Sequence, residues 1–168
     1  MPESQAPIGL VEALQATAAN AFGDYANGRS IAERVIDAGS RNFAEEPAIE
    51  ILALLDALVG LEDWHALRRF LPGARQRAGQ LALASPAIDR AEGLASAAAG
   101  NVARAAKLLG SAVDGFDRLS PFEAARTREA LASIKPEARD ELMRTALATF
   151  ERLGAKPHAA RVRSANGG

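Results

Sequence analysis

A run of identical or similar residues recurs in the last third of the sequence at a fixed offset of 34 residues. The paired positions carry apolar, small and charged residues in the same order: Leu108 with Leu142, Leu109 with Met143, Ala112 with Ala146, Phe116 with Phe150, Asp117 with Glu151, Arg118 with Arg152 and Leu119 with Leu153. At an offset of 35, residues 124–126 align with residues 159–161, as one extra loop residue would produce. Since two paired helices and their turns occupy about 34 residues, the offset predicts stacked helical hairpins.

The composition favours closely packed helices over strands. Alanine accounts for 39 of the 168 residues, whereas aromatic residues make up only 5%. Alanine is the best helix former and a poor strand former, and its small side chain lets helices approach each other closely. We therefore expect an all-α fold, an α-solenoid of about four antiparallel helical hairpins.

Residues 86–119 carry the pattern of one known repeat most fully, the tetratricopeptide repeat (TPR). Gly93 takes the small position of the first helix, Gly100 and Asn101 form the turn, and Leu109 takes the large apolar position of the second helix. Residues 90–126 and 150–161 resemble the C-terminal helical arrays of bacterial multidomain signalling proteins, among them nucleotide-cyclase and helix-turn-helix regulator families. The resemblance covers about residues 86–163. It implies a right-handed TPR-like superhelix that serves as a scaffold or sensor, without the activity of the domains that accompany such arrays.

Glycine, proline, serine and asparagine predict where helices begin and end. Ser30, with Glu33 three residues later, predicts an N-cap and a helix over residues 31–43 after a turn at residues 24–28. Asp63 predicts the start of a helix that Pro72 and Gly73 kink or break. Residues 8–163 are expected to form a single repeat domain, with a disordered tail at residues 1–7 and a flexible tail at residues 164–168.

The overall charge gives no attraction to nucleic acid or to an anionic membrane, because the formal net charge is -1. The two parts of the chain nevertheless differ. Residues 1–63 carry three basic and eleven acidic groups, and residues 64–168 carry seventeen basic and ten acidic groups. No signal peptide and no apolar run long enough to span a bilayer is present, which predicts a cytoplasmic protein without membrane contact.

The sequence lacks the motifs that are typical of catalytic and metal-binding sites. It has no cysteine, and its two histidines, His65 and His158, lie far apart with no neighbouring metal-ligand spacing. No nucleophile elbow, phosphate-binding loop or zinc-protease motif occurs. We expect no enzymatic activity, no metal and no cofactor.

Four residues are expected to face the partner-binding groove of the array: Asp56, Arg90, Leu94 and Thr127. Asp56 interrupts an apolar helix, and a lone carboxylate there should meet water, a cation or a partner. Arg90 and Leu94 take the equivalent register in the next repeat, and a shifted register in the repeat after that gives Thr127. Ordinary solvated positions remain the competing interpretation.

These observations favour a non-catalytic helical-repeat module that binds a protein or peptide in a bacterial signalling or regulatory system. Two alternatives stay open. One is a small-molecule sensor domain, in which a ligand between hairpins shifts their packing. The other is a structural unit that forms homo-oligomers through its acidic first part and its basic second part.

Overall fold

The computed structural model describes residues 8–39, 48–77 and 82–166, and every regular element within these ranges is helical. The helices are α1 (Ile8–Ala21), α2 (Tyr25–Gly39), α3 (Ala48–Gly60), α4 (Trp64–Arg77), α5 (Ala84–Ala98), α6 (Val102–Asp117), α7 (Pro121–Ile134), α8 (Arg139–Arg152) and α9 (Lys156–Asn166), with one 3-10 turn at Pro136–Ala138. The predicted all-α class is confirmed over these residues.

The chain divides into two compact units, unit 1 (Met1–Ala84) and unit 2 (Ser85–Gly168). In unit 1, α1 packs on α2 and α3, α2 packs on α3, and α3 contacts α4. Its buried core is built mainly from α3, where Ile51, Leu55 and Leu58 are almost inaccessible to solvent, and from Leu67 of α4. Apolar residues lie on more than one side of α3, so this helix packs against α1, α2 and α4.

In unit 2, α6 packs on α7, α7 on α8, and α8 on α9. One core cluster joins α7, α8 and α9 through seven buried residues: Ala125, Ala132, Met143, Ala146, Phe150, Ala159 and Val162. Most of these residues are small, so the helices approach closely around the large ring of Phe150. The alanine-rich composition therefore supplies contact positions as well as helix propensity.

Four helix ends close with the same left-handed turn. The residue that adopts a positive φ is Gly23, Gly100 or Gly154 in three of them and Glu62 in the fourth, with φ angles of 82, 76, 68 and 53 degrees respectively. The following amide donates to the carbonyl five residues earlier, in the pairs Asp24 to Ala19, Asp63 to Leu58, Asn101 to Ser96 and Ala155 to Phe150. This Schellman motif satisfies the last helical carbonyls and reverses the chain in about three residues.

The helix start predicted at Asp63 is confirmed, and two further N-caps are present at Asn101 and Ser120. Ala66 donates its amide to Asp63 Oδ1 at 3.0 Å, the Asn101 side chain accepts from the amide of Arg104, and the Ser120 side chain accepts from the amide of Glu123. Each cap satisfies an amide that the first helical turn leaves without a partner.

Two predicted boundaries are wrong. The second helix begins at Tyr25, not at residue 31, because Asp24 caps it and Gly28 packs inside it against Asn20 of α1. The predicted break at Pro72 does not occur: α4 continues from Trp64 to Arg77 and buries Leu67, Leu71 and Ala74 on its inner face. The predicted end of the second helix at residue 43 lies outside the described residues.

At the C-terminus, α9 extends to Asn166, three residues into the segment predicted as a flexible tail. The predicted tail at residues 1–7 lies outside the described residues. The organisation of residues 8–163 as one domain stays a prediction.

Gly93 allows α5 and α6 to approach each other, and this contact yields the first prediction. A Cβ atom at position 93 would lie 2.9 Å from Leu109 Cγ and 3.3 Å from Leu108 Cβ, whereas one at Gly110 would meet nothing within 4 Å. We expect Gly93→Ala to lower the free energy of unfolding by about 1 to 2 kcal/mol, because Leu109 has no room to move. Gly110→Ala should instead raise it by about 0.5 to 1 kcal/mol through helix propensity. Urea unfolding followed by circular dichroism measures both, and equal effects would contradict the packing described.

Candidate functional site

An open cleft of about 420 Å³ lies in unit 1 between α2, α3 and α4. Its lining combines apolar and charged side chains from all three helices: Arg29, Glu33, Ile36, Asp37, Leu54, Leu58, Ala66, Arg69 and Phe70. Ligand-binding clefts in proteins have volumes of about 300 to 1,000 Å³. The cleft is therefore large enough to receive side chains of a partner or a small molecule.

The floor of the cleft is apolar. Leu54 and Leu58 stand one turn apart on α3 and are almost fully buried, while Ile36 of α2 and Phe70 of α4 are partly exposed beside them. Leu54 and Leu58 therefore have little surface left for a partner to cover, and the apolar surface that a partner could still bury in the cleft belongs to Ile36 and Phe70.

The α2 wall carries three charged residues at four-residue spacing, so they lie on one side of the helix: Arg29, Glu33 and Asp37. Arg29 Nε donates to Glu33 Oε1 and Arg29 Nη1 donates to Asp63 Oδ2, both at 2.8 Å. The amide of Ala66 and the guanidinium of Arg29 lower the pKa of Asp63, and Glu33 and Asp63 raise the pKa of Arg29. The single positive charge of this wall is thus already shared between two carboxylates.

Two charged side chains of the cleft have no polar partner among the described residues. Within the described ranges, neither Asp37 on α2 nor Arg69 on α4 makes an ion pair or a side-chain hydrogen bond. Both residues are exposed. The cleft therefore presents one available anion on its α2 wall and one available cation on its α4 wall.

Unit 2 contains a second cluster of charged residues, which ties three helices together. Arg90 on α5 forms an ion pair with Glu123 on α7, and its guanidinium lies 5.4 Å from the ring centroid of Phe116. Arg126 also pairs with Glu123, at 3.2 Å. Burial alone would raise the pKa of Glu123, but the two arginines outweigh burial and hold the pKa of this carboxyl below its ordinary value.

His158 on α9 lies against two aromatic rings of unit 2. Its ring centroid is 4.9 Å from that of Phe122 and 5.0 Å from that of Phe150. Arg161 Nη2 lies 2.8 Å from His158 Nδ1, which must be the acceptor because a guanidinium only donates. Burial, and then the charges of Arg161 and Arg126, lower the pKa of His158, while Glu129 and Glu123 act in the opposite direction.

The lowered pKa of His158 gives the second prediction. The unfolded chain binds this proton more readily, so stability should fall as pH drops from about 6.5 towards the folded-state pKa. His158→Gln should remove that part of the pH dependence, because glutamine does not titrate. Urea unfolding between pH 7.5 and pH 5 provides the comparison, with His65→Gln as the matched control. The prediction fails if the two variants have the same pH profile.

The four residues predicted to face a groove are placed as follows. Arg90 and Thr127 both contact Glu123: Arg90 through its side-chain ion pair, and Thr127 through a hydrogen bond of 2.7 Å from Oγ1 to the Glu123 carbonyl. Thr127 is 0% exposed and Arg90 is 8% exposed; the Arg90 ion pair connects α5 with α7, whereas the Thr127 hydroxyl donates within α7. Leu94 lies partly exposed one turn after Arg90, and Asp56 is partly exposed on α3 in unit 1. A binding role for the four stays a prediction.

Sequence reasoning missed the cleft. Of its lining, Glu33 was named from the sequence, but as part of an N-cap pattern and not as a cleft residue. The charged triplet at residues 29, 33 and 37 was a usable signal, because four-residue spacing puts all three on one side of α2.

In the parts of the chain that the structure describes, no three histidine, aspartate or glutamate residues come together as metal ligands.

Comparison of the chain with protein-family models, curated proteins and solved structures found no match. Among the described helices, none is both long enough and apolar enough to cross a membrane.

Proposed function

We propose that this protein is a TPR-like helical-repeat module of about four hairpins that binds a protein or peptide partner. Its setting is a bacterial signalling or regulatory system in the cytoplasm, and it has no catalytic activity of its own. The open cleft between α2, α3 and α4, with its apolar floor and charged walls, is the observation that carries the binding role.

Contacts at a nearly constant sequence separation support a repeat arrangement. In unit 1, Asn20 Nδ2 donates to the carbonyl of Ala53, 33 residues away, and Arg29 pairs with Asp63 at a separation of 34. In unit 2, separations of 33 and 32 connect Arg90 with Glu123 and Glu129 with Arg161. Contacts between elements one period apart are expected where hairpins stack on their neighbours.

Equivalent positions in unit 2 also make equivalent contacts. Asp117 pairs with Arg128 and Glu151 pairs with Arg163, both at 2.5 Å. Asp117 and Glu151 are separated by the 34-residue offset, whereas Arg128 and Arg163 are separated by 35. Three apolar pairs of the run are buried in both copies, Leu109 and Met143, Ala112 and Ala146, and Phe116 and Phe150, whereas Leu119 and Leu153 are both 44% exposed.

Partner capture with two matched variants tests the proposed function. Arg69 lines the cleft, whereas Arg68 is an exposed neighbour on the same helix that does not. We expect a partner captured from cell extract by the wild-type protein to be lost with Arg69→Glu and retained with Arg68→Glu. Quantitative mass spectrometry measures the ratio. Equal retention by both variants would contradict binding in the cleft.

The cleft also favours a second candidate function, a small-molecule sensor, because its volume of about 420 Å³ matches that of ligand sites. A sensor should carry its ligand through purification. Native mass spectrometry of the protein from its own host would then reveal a bound mass that disappears in the Phe70→Asp variant. The protein-binding proposal expects the mass of the chain alone.

Self-association between the acidic first part and the basic second part of the chain is a further possibility that the charges allow. Light scattering at low and high salt distinguishes it. A monomer under both conditions would exclude it, since charge-driven association weakens as salt increases.

A further inference from the structure

We propose that the outer face of α1 is a self-association surface, on which α1 of a second copy of this chain packs antiparallel about a two-fold axis. The face lies opposite the side of α1 that packs on α2 and α3, and none of its members lines the cleft. The inference therefore concerns a second surface and does not rest on the proposed function. Six apolar residues form the face: Leu10, Val11, Leu14, Ala18, Ala21 and Phe22.

The two sides of α1 carry the reverse of the usual distribution. The side that packs on α2 and α3 buries the small residues Ala13 and Ala16 and the polar Asn20. A surface helix normally presents its polar side to water. Here the outer face holds four of the nine exposed large apolar side chains in the described part of the chain, which marks it as an interaction site. Their exposed fractions are 42% for Leu10, 47% for Val11, 52% for Leu14 and 92% for Phe22.

Phe22 extends the face beyond the last residue of the helix. Its amide donates to the carbonyl of Ala18 at 3.1 Å, so it keeps the helical register before Gly23 reverses the chain. The largest side chain of the face is thereby also the most exposed one. The face runs over residues 10–22, a length of about 18 Å along the helix axis.

The order of large and small residues makes the face complementary to itself. The large residues lie in its first half, and its second half is small except for Phe22. A two-fold axis at the level of position 16 sets each member against another member that is equally far from that position. Antiparallel pairing therefore places large side chains against alanines, whereas parallel pairing would set leucine against leucine and leave gaps between alanines. The facing pairs are Leu14 with Ala18, Val11 with Ala21 and Leu10 with Phe22.

Charge and area also fit a second copy. The face contains no charged residue, so its burial against the same face leaves no charge without water or a counterion. Covering the exposed parts of the six residues in two copies removes on the order of 1,000 Å² from water, which is the lower limit for a specific interface. The dimer should therefore be weak, with a dissociation constant of about 10 µM.

Sedimentation equilibrium of the full chain, over concentrations that bracket this dissociation constant, tests the self-association. We expect Leu14→Glu to weaken the dimer at least about tenfold, because it buries two carboxylates in an apolar contact. Leu153→Glu is the matched control, since Leu153 is an exposed leucine of unit 2, and it should leave the dissociation constant unchanged. Both leucines are exposed, so both variants should fold. High salt should not weaken the dimer, since its contact is apolar.

Single cysteines test the antiparallel pairing, because the chain has no cysteine of its own. An equal mixture of Leu14→Cys and Ala18→Cys is equilibrated in a glutathione redox buffer above the dissociation constant. We expect the disulfide between positions 14 and 18 to exceed its statistical share at least about threefold over either homotypic disulfide, because only facing positions meet the distance limits of the bond. Mass spectrometry distinguishes the three products.

A monomer at every concentration would overturn the inference, and it would assign the face to a different protein or to another segment of this chain. Dimerisation that Leu14→Glu leaves unchanged, or that weakens as salt increases, would place the contact on another surface. Statistical or homotypic disulfides would contradict the antiparallel pairing. None of these outcomes bears on the cleft, because the capture experiment with Arg69→Glu tests that site separately.

Discussion

Replacement of Arg90 by methionine is expected to lower the free energy of unfolding by about 3 kcal/mol at neutral pH. Methionine retains most of the apolar contact with Phe116 but leaves the carboxylate of Glu123 without its closest counterion. The Arg90 side chain is 10% exposed and that of Glu123 is 24% exposed, so water compensates only in part. The remaining partner, Arg126, is 34% exposed and contributes less.

Two comparisons isolate this charge effect. Arg163→Met breaks an ion pair whose members are 59% and 47% exposed, and it should cost less than about 0.5 kcal/mol. The double variant Arg90→Met with Glu123→Leu should recover most of the lost stability, because no unpaired charge remains. Urea unfolding measures all three. Equal losses for Arg90→Met and Arg163→Met would contradict the account of this ion pair.

The effect of Arg90→Met should also depend on pH. The pKa of Glu123 is lowered in the folded protein, so the pair stabilises the fold above the unfolded-state value of about 4.5 and loses this effect as pH falls through the folded pKa. The difference between wild type and Arg90→Met should therefore shrink between pH 7 and pH 3.

Replacement of Phe150 by alanine is expected to cost about 3 to 5 kcal/mol, the largest effect of any single change considered. Phe150 is 0% exposed and lies in the cluster that joins α7, α8 and α9. Its ring centroid lies 5.7 Å from that of Phe122 and 5.0 Å from that of His158. Alanine would leave a cavity that the surrounding alanines are too small to fill.

A second phenylalanine provides the control. Phe22 is 92% exposed, so Phe22→Ala should change the free energy of unfolding by less than about 0.5 kcal/mol. Peptide-level hydrogen exchange should show faster exchange across α7–α9 in Phe150→Ala. Exchange that is unchanged in these helices would contradict the described packing around Phe150.

The sequence predicted the helical class and several helix ends because these depend on local chemistry. Asp63 caps the helix that follows it, and Gly100 with Asn101 forms the turn between α5 and α6, as predicted. The wrong predictions concern helix boundaries that depend on tertiary contacts. Gly28 is helical because it packs against Asn20, a contact that a turn pattern does not reveal.

The cleft was less predictable, because it combines side chains from three helices that are far apart along the chain. Leu54 and Leu58 appear in the sequence as core residues, and only the placement of α2 and α4 beside them leaves one side open. Likewise, Arg90 was singled out as a groove residue, but its partner Glu123 was not. Their 33-residue separation identifies the pair once stacked repeats are assumed.

Site-specific photocrosslinking in living cells tests the central claim most directly, that this chain binds a protein partner through the cleft of unit 1. A photoreactive amino acid at position 69 lies in the cleft, and the same group at position 68 lies on the same helix outside its lining. We predict that position 69 yields a crosslinked partner protein and that position 68 yields none or far less. Equal crosslinking at the two positions, or none at position 69, would contradict the account.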